Sequence, residues 1–236
     1  MSELATSNLL ENEGGAIIME MINKKNRYII FNCCKGKDIC KCASFVIAGG
    51  VIVYPTDTIY GIGCNPYNDN SVERIFNIKG RSKKKPLPIL ASNIHDVEKI
   101  VSLGKIGKLL AKKFWPGGLT IVSPIIDENI STKVTANKMS VGMRIPNNNC
   151  TLSLLKYCKY LVGTSANKSG DKPSRSSCEI ISSSLHGFDA LLDGGIVEKG
   201  VESTIVDLSD STVPKIIREG AITSKEIYRV LTTIQQ

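Results

Sequence analysis

The 236-residue sequence predicts an α/β fold, a single domain built on a mixed parallel and antiparallel sheet with flanking helices. Three observations predict it. Short apolar runs at 51–54, 119–123 and 141–145 read as buried strands. Stretches with helical spacing, such as 71–78 and 106–114, alternate with them. Some connections are too short for a helical crossover, so antiparallel pairs must accompany parallel ones.

Residues 1–25 are polar and aperiodic and read as a loose extension, with Met19 and Met21 as alternative internal starts. With one short strand at 28–31, this N-terminal extension spans 1–37, and the main domain spans 38–236. Asp38 is placed to cap a helix through Ala48, which Gly49-Gly50 ends. After the strand at 51–54 come a helix at 71–78, a strand at 87–91 and a helix at 94–103. The helix at 106–114 stops at Trp115-Pro116-Gly117-Gly118 and leads into the strand at 119–123. Pro146 ends the strand at 141–145. A helix at 152–160, a strand at 161–164 and a helix at 178–185 follow. The strand at 190–192 runs into Asp193-Gly194-Gly195, and the last strands are 203–208 and 215–218. Thr223-Ser224-Lys225-Glu226 is a capping box that opens the final helix.

Composition narrows the function classes. Hydrophobic residues at 42% and charged residues at 22% are ordinary for a globular protein. A net charge of +8 favours phosphorylated or polyanionic partners. The longest apolar run, 45–54, is too short for a membrane helix, so no membrane partner is expected. The N-terminus lacks the basic-then-apolar order of a secretory signal, which makes the cytoplasm the expected compartment. The eight cysteines are therefore expected to be reduced thiols. Cys33, Cys34, Cys40 and Cys42 do not match paired zinc knuckles, and only two histidines are present. No protein-held metal and no histidine-centred triad is expected.

The chemistry-bearing residues lie where strands end, as ligand sites do in open α/β sheets. In Lys79-Gly80-Arg81-Ser82-Lys83-Lys84-Lys85, five of seven residues are basic, and Pro86-Leu87-Pro88 follows. Such a run is most often a solvated face, but here it follows the hydroxyl-rich turn Thr56-Asp57-Thr58. Arg144 sits in an otherwise apolar strand, where a charge must be paired or face a cleft. Thr164-Ser165-Ala166-Asn167, Glu202-Ser203-Thr204 and Arg218-Glu219-Gly220 each adjoin a strand end. Arginines 81, 144 and 218 beside hydroxyl turns suit a triphosphate plus a carboxylate. No nucleophile–base pair stands out, and Cys64 reads as packing. No Gly-x-x-x-x-Gly-Lys-Ser/Thr loop is present, so positioning and charge stabilisation of a phosphoryl or nucleotidyl transfer is the expected chemistry.

Together these strings resemble the YrdC-like family, the threonylcarbamoyl-AMP synthases, over residues 45–231. Tyr54-Pro55-Thr56-Asp57-Thr58-Ile59-Tyr60-Gly61 is similar to the family's opening motif. Lys79-Gly80-Arg81 with Lys85-Pro86-Leu87, Pro116-Gly117-Gly118-Leu119-Thr120, Ser165-Ala166-Asn167, Gly200-Val201-Glu202-Ser203-Thr204 and Arg218-Glu219-Gly220-Ala221 follow in the family's order. The resemblance implies a twisted sheet with a basic concave face and a catalytic domain over 38–236. It implies a nucleotidyltransferase that makes threonylcarbamoyl-adenylate and pyrophosphate from L-threonine, bicarbonate and ATP, for threonylcarbamoyladenosine in tRNA. By the same resemblance Thr58, Arg144, Gly163 and Ser203 would hold threonine, with Arg144 on its carboxylate. Arg81, Lys85, Ser140, Ser165, Asn167, Ser174 and Arg218 would hold ATP, with Mg2+ riding on the phosphates. Lys79 and Arg81 would be catalytic. The partner implied is the downstream tRNA threonylcarbamoyl-transferase machinery, while contact of the basic face with tRNA or double-stranded RNA goes with the competing binding-module reading. Leu90 stands where some relatives carry histidine, Glu219 replaces a proline, and the additional C-terminal domain of longer relatives is not seen. A non-catalytic module for double-stranded RNA or tRNA, and a carbamoyl-adenylate transferase, are the competing readings.

Overall fold

The computed structural model describes residues 8–10, 18–23, 28–210 and 214–232. The mixed α/β fold is present, and its strands divide between two sheets. The first sheet runs β1 (Asn8–Leu10), β2 (Ile18–Asn23), β3 (Tyr28–Asn32), β11 (Ala190–Asp193), β4 (Ile52–Tyr54), β5 (Gly61–Gly63), β10 (Thr164–Ser165). Within it β11 is parallel to both β3 and β4, while the other pairs are antiparallel. The second sheet runs β13 (Lys215–Arg218), β12 (Thr204–Asp207), β7 (Leu119–Pro124), β8 (Ser140–Arg144), β6 (Ile89–Ala91), β9 (Tyr160–Val162). Here β12 is parallel to β7 and β6 to β8.

Helices α1 (Gly36–Ile47), α2 (Asp69–Lys79), α3 (Ile94–Ile100), α4 (Gly104–Phe114), α5 (Thr132–Thr135), α6 (Asn149–Cys158), α7 (Ser177–Ser182) and α8 (Ser224–Thr232) flank the sheets. Their starts are locally encoded. Asn68, Asn93 and Asn148 each accept an N–H bond from the first turn of α2, α3 and α6. At the start of α8, Thr223 N–H donates to Glu226 Oε2 and Glu226 N–H donates to Thr223 Oγ1, as the capping-box sequence requires. Asp38 behaves differently from the expectation. The helix begins at Gly36, and the Asp38 carboxylate accepts the Asn32 N–H at 3.0 Å, bracing the turn before the helix.

The stretch read as one strand at 161–164 divides at Gly163, leaving β9 in the second sheet and β10 in the first. A side chain has no room at this crossing. A Cβ on Gly63 would lie 1.9 Å from the Val162 carbonyl, and one on Gly163 would lie 2.9 Å from Leu90 Cγ. Two further strands, β1 and β2, occur in the N-terminal stretch read as loose, and β2 pairs with β3. The remainder of 1–25 lies outside the described residues.

The expectation that every cysteine is a free thiol is corrected. Cys33 and Cys150 form a disulfide, with Cα atoms 5.4 Å apart, and the other six cysteines are free. The partners are 117 residues apart in sequence, so the local Cys33–Cys42 spacing held no trace of the pairing. No helix among the described residues is long and apolar enough to cross a membrane.

Candidate functional site

Strands and turns of both sheets line a cleft with a cavity volume of about 120 Å³. Thr56 and Thr58 enter it from the β4–β5 turn, Arg144 from the end of β8, and Arg81 from the turn after α2. Ser165 of β10, Glu202 and Ser203 before β12, and Arg218 at the end of β13 complete the polar lining.

Arg144 forms one wall. It ends β8, which pairs with β7 and β6 in the apolar second sheet, so its guanidinium is carried to a fixed place and is only 6% exposed. Nε donates to the Gly117 carbonyl at 2.9 Å, Nη1 to Thr58 Oγ1 at 3.1 Å and Nη2 to Asp57 Oδ1 at 2.6 Å. Burial weakens its hold on its proton, and the Asp57 carboxylate opposes that loss. Three of its five N–H groups are engaged among the described residues, leaving two for a ligand carboxylate. Thr56 Oγ1 accepts the Thr58 and Ile59 N–H groups, which closes the turn and turns Thr58 toward Arg144. Asp57 is also fixed by the Asn147 N–H at 3.0 Å. Among the described residues its other oxygen has no hydrogen-bond partner, and the Lys199 ammonium lies 4.0 Å from it.

The lining continues along the second sheet, where Ile205 pairs with Thr120 of β7 and with Arg218 of β13, and here it is cationic. Arg218 donates from Nη1 to Glu202 Oε2 at 2.6 Å and from Nε and Nη2 to the Ser203 carbonyl. Arg81 is held through the Lys85 and Pro86 carbonyls. Burial lowers its pKa most, the Glu202 charge opposes this, and the nearby Arg218 adds to it. Ser203 Oγ lies 2.9 Å from Thr120 Oγ1. Two guanidinium groups and one carboxylate on one wall leave a net positive surface toward the cleft.

Of the residues singled out in the sequence, Thr58, Arg81, Arg144, Gly163, Ser165, Ser203 and Arg218 line the cleft. Lys79, Asn167 and Ser174 are buried behind its lining. The Lys79 ammonium donates to the carbonyls of Ser165 and Asn167 and approaches Asn167 Oδ1, so its three protons organise the 165–167 turn. Burial and then Arg81 pull its pKa down to about 8. Ser174 supports the same wall, accepting the Tyr60 N–H on its carbonyl and donating from Oγ to the Ala166 carbonyl. Lys85 is exposed. Ser140 stands at the far end of β8, four residues from Arg144, roughly 13 Å away at strand spacing, and is not brought to the cleft. The basic run thus separates into Arg81 facing the cleft and Lys83 paired with Glu73 on the surface.

Glu202 and Asp57 were not assigned site roles from the sequence, although both sit in the quoted strings. Their roles are set by long-range partners: Arg218 is 16 residues from Glu202, and Arg144 is 87 from Asp57. Leu90 lines the cleft floor and packs toward Gly163.

The chain has counterparts among known proteins in sequence and fold. The Sua5, YciO and YrdC family, described as telomere recombination, matches residues 44–220. The chain is 34% identical over 196 residues to the threonylcarbamoyl-AMP synthase of Pyrococcus abyssi, covering 82% of this chain and 57% of that protein. It is also 34% identical over 199 residues to the Bacillus subtilis threonylcarbamoyl-AMP synthase, covering 83% of this chain and 57% of the relative. Pyrococcus abyssi Sua5 complexed with L-threonine superposes with a TM-score of 0.82 at 32% identity, over 86% of this chain and 61% of that one. Escherichia coli YciO shares the fold, with a TM-score of 0.72 at 24% identity, over 85% of this chain and 97% of that one. The protein belongs to the Sua5/YciO/YrdC family. It spans about three-fifths of the length of the two curated relatives it matches at 34%.

Proposed function

We propose that the protein is a threonylcarbamoyl-AMP synthase, a nucleotidyltransferase that joins L-threonine, bicarbonate and ATP into threonylcarbamoyl-adenylate and pyrophosphate. The observation that carries this is Arg144: a buried guanidinium at the cleft wall with two N–H groups uncommitted among the described residues, beside the Thr58 hydroxyl and in one lining with Arg81 and Arg218. A planar fork suits the threonine carboxylate. Thr58, Gly163 and Ser203 surround the position its side chain would take. Arg81, Ser165 and Arg218 are the residues for the ATP phosphates, and Lys79, Asn167 and Ser174 act by holding the wall that carries Ser165.

In this reading the threonine amine captures bicarbonate to give a carbamate and water. A carbamate oxygen attacks the α-phosphorus of ATP, and the bond to the pyrophosphate oxygen breaks. Arg81 and Arg218 offset the charge that develops on the phosphates in a partly dry cleft. Mg2+ enters on the ATP phosphates as part of the substrate. Among the described residues no cluster of three His, Cys, Asp or Glu is placed to hold a metal. The adenylate would pass to a tRNA threonylcarbamoyl-transferase, with direct tRNA contact as part of that hand-over. A cytoplasmic location belongs to the same reading.

Incubation with L-threonine, MgATP and carbon-13 bicarbonate tests it. Mass spectrometry of the quenched mixture is expected to show threonylcarbamoyl-adenylate with the label in its carbamoyl group. ATP consumption without a labelled adenylate would overturn the proposal.

A further inference from the structure

We infer that Cys33 and Cys150 form a thiol–disulfide exchange site, reducible by a dithiol, whose state sets the grip of the 55–58 turn on its ligand. The inference rests on the threonine reading of that turn for its functional readout. The bond lies beside the cleft machinery. Cys150 is the second residue of α6, and the residues around it hold both ends of the turn. Thr151 Oγ1 donates to the Pro55 carbonyl. Asn147 N–H donates to Asp57 Oδ1, the oxygen that also takes Arg144 Nη2. Asn148 caps the helix by accepting the Thr151 N–H at 3.0 Å.

The other sulfur is anchored in a different element. Cys33 follows β3, and its N–H donates to the Asp193 carbonyl at the end of β11. A Cβ added to Gly194 would lie 2.7 Å from Pro55 Cγ and 3.1 Å from Cys33 Sγ, so the disulfide, the Gly194 backbone and Pro55 are packed together. The covalent bond thus ties the start of α6 to the end of β3 in the first sheet, and the 147–151 segment in turn holds Pro55 and Asp57. Both cysteines are partly exposed, which admits a reductant. In the exchange, a dithiol thiolate attacks one sulfur, the Sγ–Sγ bond breaks, and the second thiol of the reductant closes its own disulfide. Two electrons and two protons pass to the protein, leaving thiols on Cys33 and Cys150. Without the tether the 147–151 segment holds the turn by hydrogen bonds alone, and the Asp57–Arg144 contact loses its brace.

The test compares purified protein before and after dithiothreitol. Cysteine alkylation with mass mapping reports the bond, hydrogen exchange reports residues 54–58 and 147–151, and calorimetry reports L-threonine affinity. Reduction is expected to unmask Cys33 and Cys150, quicken exchange in both segments, and weaken threonine binding by about 5-fold or more. Cys150→Ser is expected to match the reduced protein and to be indifferent to dithiothreitol; if that variant does not fold, reduction of the native chain decides. Free thiols at both positions before reduction, or an unmasked pair with unchanged exchange, would overturn the inference. If threonine binds in neither state, the proposed function fails, while the exchange readout still decides the switch.

Discussion

At the scale of single residues, Arg144 shows what a sequence can and cannot reveal. A charge in an apolar strand must have a partner, so its importance was legible. The partner was not, because Asp57 is 87 residues away and only the two-sheet topology brings them to 2.6 Å. Breaking a buried pair of this kind costs about 3–5 kcal/mol, since one charge is left uncompensated. Arg144→Lys keeps the charge and loses the fork, and is therefore the informative variant. It is expected to raise the threonine concentration needed for half-maximal pyrophosphate release about 100-fold, from a charge-assisted bond of about 2–3 kcal/mol. The ATP requirement should move less than about 3-fold, and equal shifts for both substrates would refute the assignment.

Lys79 was legible as a motif residue but not in its role. Its acceptors are the backbone carbonyls of Ser165 and Asn167, which no side-chain pattern records. The ammonium form makes these bonds, and its pKa is drawn down to about 8. The protonated, wall-holding form is therefore present below that pH and is lost as pH rises through it. Pyrophosphate release is expected to fall on an alkaline limb near pH 8. The guanidinium introduced by Lys79→Arg stays charged through this range, so that variant should lose the limb; an unchanged profile would contradict the role.

Elements were more legible than their assembly. Apolar runs and capping residues placed most strands and helices to within a few positions, because those signals are local. The division of 161–164 between two sheets was hidden, since it depends on Gly63 and Gly163 allowing close approach of segments far apart in sequence, Gly63 to Val162 and Gly163 to Leu90. Likewise β5, only three residues with two glycines, carries no strand periodicity. The crossing is a steric claim with a direct test. Gly63→Ala drives a methyl into the Val162 carbonyl, and is expected to destabilise the fold by about 1–3 kcal/mol in denaturant titrations. A neutral effect would mean that the sheets are not joined this closely.

For the whole molecule, the Cys33–Cys150 bond closes a loop of 117 residues, linking the region before α1 to the start of α6. In the chain-entropy account a loop of that size stabilises by about 4–5 kcal/mol. Reduction should then lower the melting temperature by about 10 °C for a domain of this size. A melting temperature unmoved by dithiothreitol would show that the bond carries no such weight.

Arg144, Arg81 and Arg218, gathered in one cleft lining, together define the central claim: one site for a carboxylate and a triphosphate. The most direct test is pyrophosphate release from MgATP in bicarbonate, measured with L-threonine and with L-serine or L-alanine at equal concentration. The account predicts release that depends on threonine and is weak or absent with the other two. Release that ignores the amino acid, or none with threonine while tRNA still binds in a salt-sensitive way, would contradict it.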